Sequence, residues 1–184
     1  MATSAQDLLV TFAQANRRSN EVLYETLKEV EDKSRLTKEN GSPFHSILGI
    51  LSHLYICDVV WLRRFGDGGL PDLPPVQDPA VTDFEFVHFR HLTFPELEGW
   101  WGARPHMDDL LESLVRAMDD SELAKDMDYN NAKGKPLRIR RVDACLHVFN
   151  HHAHHRGQVS QALDALGIWN DFSNITDATT RPQE

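Results

Sequence analysis

Five of the chain's ten histidines fall between His147 and His155, in the string HVFNHHAHHRGQVSQAL. On a helix, residues four apart stand one above the other, so His151 and His155 can present two imidazoles to one point. Such an HxxxH pair can chelate a first-row divalent ion, but accidental pairs are common and the position of this one must decide. Ala144, Val148, His151, His155, Gln158 and Ala162 step by three and four along one seam. Both imidazoles would therefore look into a helical interior, where a polar group needs a partner.

His53 is the natural third group, because Ile50, His53, Cys57 and Val60 or Trp61 lie along one stripe of a strongly apolar segment. Three neutral imidazoles from two helices would hold a divalent metal and leave a coordination position open, as catalytic sites do. The competing reading has His53 bonded to a backbone carbonyl or a neighbouring side chain, with the later histidines forming a solvated, weakly chelating face. His147, four before His151, could replace a ligand, whereas His152 reads as packing and His154 as surface. His45, His88, His91 and His106 sit at helix starts or in loops and receive no role. Cys57 could add a soft ligand, although buried packing is the simpler reading. Arg156 is expected to hold a carboxylate from the first or second helix, and Gly157 to mark close helix contact or a local weakness. Gln158 is expected to bond the interior rather than a metal-bound water, and Trp61, Trp100, Trp101 and Trp169 to form core or pocket walls.

The elements that must place these groups are helices. Leu9, Ala13, Asn16, Asn20, Leu23, Leu27 and Val30 trace a helix seam over residues 5–30. A second helix is predicted to start near residues 42–45, with Ser42 as cap and Pro43 in its first turn, and to stop at Gly66. Gly49 within it suits close approach by a neighbour. The run GDGGLPDLPPVQDPAVTDF reads as a long crossover loop. A short helix near residues 96–100 and a third main helix over 105–118 follow, then a hairpin about NNAKGK. The fourth main helix spans 141–166 and is stopped by Gly167. The fold class is all-α: a four-helix bundle with a long crossover loop and a small hairpin-bearing connection before the last helix. Residues 1–172 are expected to form this single domain and residues 173–184 a polar, flexible tail.

The chain has 184 residues, 41% of them hydrophobic, which suffices for one core. Its 28 acidic and 19 basic residues give a net charge of -9, which argues against a nucleic-acid partner. The N-terminal stretch lacks a signal-peptide pattern and no apolar run is long enough to span a bilayer, so a cytoplasmic protein without membrane contact is expected. Cys57 and Cys145 show neither zinc-ribbon nor redox spacing and read as buried thiols.

ILSHLYICDVVWLRRF, the glycine of AKGKPL, and above all HVFNHHAHHRGQVSQALDALG followed by DF resemble the DinB-like (damage-inducible B, YfiT-like) four-helix metalloproteins. The resemblance implies a metal site at His53, His151 and His155, zinc or nickel as the ion, and a homodimer. It also implies an enzyme that activates a low-molecular-weight thiol, as an S-transferase does, or water, against an electrophilic small molecule. The alternative is a non-catalytic metal-binding stress or interaction protein.

Overall fold

A computed structural model describes residues 3–173 and Thr176; the tail expected at 173–184 lies, apart from Ser173 and Thr176, outside the described residues. The chain is mostly helical, with seven α-helices and one small sheet among the described residues. Helix α1 (Ala5–Lys28) opens on Ser4, whose side chain accepts from the Asp7 amide while the Asp7 carboxylate accepts from the Ser4 amide. After a 3-10 turn at Lys33–Leu36, helix α2 (Ile47–Asp67) begins at Ser46, four residues later than the predicted cap at Ser42. The delay has a local cause. His45 adopts a positive φ of 69°, and the Phe44 carbonyl folds back onto the helix at Gly49. A β-carbon at residue 49 would lie 2.0 Å from that carbonyl oxygen, so the close neighbour is the incoming chain itself.

Helix α2 also passes its predicted stop and caps at Gly68. Gly66 serves packing instead, since a β-carbon there would meet Val76 at 2.6 Å. The crossover is less irregular than expected. It contains two single-turn helices, α3 (Pro74–Gln77) and α4 (Pro79–Thr82), each with proline in its first turn and anchored by buried Val76 and Val81. Arg63 ties it down by donating to the carbonyls of Val81 and Phe84.

Helix α5 (Leu97–Arg116) is continuous through Pro105, where a break was predicted. Leu97, Trp100, Arg104, Met107, Asp108 and Leu111 keep one buried stripe across the proline. That packing outweighs a single lost amide donor. Helix α6 (Asp120–Leu123) leads into β1 (Asp126–Asn130) and β2 (Pro136–Arg140), the predicted hairpin, which pairs antiparallel with Tyr129 opposite Leu137. Helix α7 (Arg141–Asp164) ends as expected at Gly167, with φ 72° and the Ile168 amide bonded back to the Leu163 carbonyl.

Each of α1 and α2 packs against both α5 and α7. Two apolar cores result, one including Leu9, Ala13, Leu62, Phe65, Leu111 and Val148, the other including Leu23, Leu51, Trp100 and Val159. The helix ends that meet in each core fix the directions: α1 and α7 run one way, α2 and α5 the other. Two parallel neighbours of some twenty residues need a connection that returns about 30 Å, which is why the crossover is long. Between the cores lies a belt of buried polar side chains drawn from all four long helices. No helix among the described residues is long and apolar enough to cross a membrane.

Candidate metal centre

Helix α2 contributes His53 and helix α7 contributes His151 and His155, and their Nε2 atoms converge. His151 Nε2 lies 3.3 Å from His53 Nε2 and 3.0 Å from His155 Nε2. The opposite ring nitrogens fix two of the tautomers. His53 Nδ1 is 2.8 Å from the Phe89 carbonyl, which can only accept, so the proton sits on Nδ1 and the Nε2 lone pair points inward. His155 Nδ1 donates in the same way to Gln158 Oε1 at 2.7 Å. Both competing readings of His53 thus hold in part: it bonds a carbonyl with one nitrogen and faces the cluster with the other.

Three electron-rich nitrogens this close repel one another unless a cation or a shared proton lies among them. The donor set fits a metal: an ion about 2.0–2.1 Å from each imidazole in tetrahedral geometry sets the nitrogens about 3.3 Å apart. All three ligand atoms lie within 4.8 Å of one another, so the group could hold a metal ion. Its protonation state suits that role. Burial, followed by the charges of His155, His152 and His53, pushes the His151 pKa down to about 3. Burial outweighs the Gln158 hydrogen bond and takes His155 to about 4, while burial also lowers His53 against the Phe89 bond. The rings are neutral at neutral pH and available as ligands.

An aromatic frame surrounds the cluster. The Phe44 ring stacks 4.1 Å from His53 and stands edge-on to His155 at 5.2 Å. His147 stacks on His151 at 5.8 Å and also meets Trp61, outside the converging trio. Cys57 Sγ lies 3.6 Å from His53 Nε2, but burial pushes its thiol up to about 12, so it stays protonated and serves packing. Gln158 orients a candidate ligand, a role its spacing did not disclose.

The neighbouring residues of α7 turn into the polar belt. His152 Nε2 is 2.7 Å from Asp58 Oδ1, and Arg104 Nη1 is 2.6 Å from Asp58 Oδ2. Burial would raise the Asp58 pKa, but His152 and Arg104 outweigh it and the carboxyl is held below its usual range. Arg104 Nη2 approaches Asp108 Oδ1 at 3.0 Å, and Asp108 accepts from the side-chain amides of Asn16 and Asn20. Arg156 was expected to grip a carboxylate; it donates instead to the amide oxygens of Asn16 and Asn20, at 2.6 and 3.3 Å. Sequence reasoning missed Asp58, Arg104 and Asp108. The signals were an acid inside the apolar run of α2 and the Asn16–Asn20 pair within the α1 seam. Trp169, expected in a wall, is 86% exposed.

A mostly helical chain with a buried three-imidazole cluster defines a class of helical proteins equipped for metal binding. The DinB family profile matches residues 1–179, and the chain belongs to that family. It is similar to protein DinB of Bacillus subtilis (strain 168), with 25% identity over 154 residues covering 81% of this chain and 80% of that protein. No solved structure matches it.

Proposed function

We propose that this chain is a metal-dependent enzyme built as a four-helix bundle, in which His53, His151 and His155 hold a zinc or nickel ion. Its reaction activates a low-molecular-weight thiol or a water for attack on an electrophilic small molecule. The observation that supports this most strongly is the convergence of three Nε2 atoms, two of them aimed by bonds from their own Nδ1 atoms. A bound divalent ion supplies Lewis acidity, lowering the pKa of a coordinated thiol or water. The chain supplies neutral ligands, apolar shielding from Phe44, and access beside half-buried His151. In this reading the protein works in the cytoplasm as a homodimer, and its charge of -9 disfavours nucleic acid as a partner.

The test is turnover by zinc- or nickel-loaded protein with a panel of thiols and an activated halide or epoxide. Thiol consumption that His155→Ala abolishes is the expected result. A second reading, a non-catalytic metal-binding protein, draws on the Phe44 ring, which lies against two of the three imidazoles and narrows the approach. Stoichiometric metal without turnover of any thiol, or of water, would favour it.

A further inference from the structure

Helix α7 has a second chemically equipped face. Ala153 and Gly157 each follow a candidate ligand by two residues, about 200° around the helix. There, between α1, α7 and the segment following α7, lies a cavity of about 730 Å³, within the range of about 300–1,000 Å³ typical of small-molecule sites. The gap exists because α7 presents Ala153, Gly157 and Ser160 toward the small residues of α1. Phe12, Phe149 and Phe172 supply apolar wall.

Arg156 also lines this cavity although only 6% of it is exposed. Its Nη1 rests on two neutral amides, and its Nε is buried without a hydrogen-bond partner among the described residues. The carboxylates of the belt are engaged elsewhere, Asp58 by Arg104 and His152, Asp108 by Arg104 and the asparagines. The one carboxylate among the lining residues, Asp171, accepts from the Ser173 amide and hydroxyl. A guanidinium in a cavity with largely apolar walls, bonded among the described residues only to amides, has unused capacity for an anion, and charge-assisted bonds in such surroundings are strong.

We propose that this cavity binds a small apolar molecule carrying one carboxylate, with the anion at Arg156 and the apolar body against Phe12, Phe149 and Phe172. The site is separate from the histidine cluster and does not depend on the function proposed for it.

Calorimetric titration of the metal-loaded full chain with decanoate, and with decanamide as its neutral counterpart, tests the assignment. Decanoate should bind at one site at least tenfold more tightly than decanamide. Gly157→Leu puts its side chain into the cavity from a position where the β-carbon meets no atom within 4 Å. It should weaken decanoate at least tenfold while metal content and melting temperature stay unchanged, and Ala153→Leu repeats the test if the first variant folds poorly. Equal affinity for acid and amide overturns the charge recognition. Affinity that neither variant changes places the ligand elsewhere and overturns the site. Absence of saturable binding also overturns it; if Gly157→Leu then converts a sedimenting dimer to monomer, the cavity is the seat of a second copy.

Discussion

His152 and Arg156 turn into the belt between the two apolar cores, while His151 and His155, each one residue earlier, turn toward His53. The belt brings opposite charges together: two carboxylates, two guanidiniums and two amides satisfy much of one another's bonding. The histidine cluster does the reverse and gathers like groups, three nitrogen lone pairs with no carboxylate bonded to their rings among the described residues. Buried polar groups whose charges answer one another hold the structure, whereas a cluster of like groups is built for something added. The same stretch of α7 does both because consecutive side chains point about 100° apart.

The largest effect should come from breaking the belt. Asp108→Ala takes from Arg104 one of its two carboxylates and from the two asparagines their shared acceptor, and is expected to cost ~3–5 kcal/mol, measured by denaturant unfolding. If the loss is no larger than for a surface substitution, the belt is not what joins the helices. His155→Ala should retain the helical circular dichroism signal but lose stoichiometric metal by elemental analysis. With zinc at a thousandfold its dissociation constant, the parent protein should gain about 4 kcal/mol that the variant does not.

Acid should separate the two clusters in the metal-free protein. His151 and His155 titrate near 3 and 4 when folded, below the ordinary histidine value of 6.5, so the unfolded chain binds protons first as pH falls. Their contribution is fully present above pH 6.5 and is lost progressively toward pH 4 and 3. Unfolding midpoints at about pH 7 and pH 5 should therefore differ, and His151→Ala should reduce the difference. Gln158→Leu removes the acceptor that aims His155 and should weaken metal affinity about 10–100-fold. Cys57→Ala should change that affinity least, less than about threefold, because its protonated thiol only packs beside His53.

The cluster was legible in the sequence because helical spacing carries angular information: His151 and His155 share a face, and His53 stands out as a polar residue on an apolar stripe. The belt was not legible, since its partners are joined only across space; Asp58 and His152 are 94 residues apart. Helix ends were misjudged where packing overrode a local signal. Pro105 failed to break α5 because the buried stripe continues past it, and Ser42 lost the cap to Ser46 because the chain at Phe44 folds back first.

That fold at Phe44 makes the start of α2 and the cover of the histidine cluster a single joint. Gly49 lies one turn before His53 and offers no ligand atom, yet the missing methyl at Gly49 is what admits the Phe44 backbone. Alanine there would displace the Phe44 carbonyl and carry the ring away from His53. Access to the nitrogens is therefore governed by one carbon atom beside the Phe44 carbonyl, and it can change while every candidate ligand stays in place.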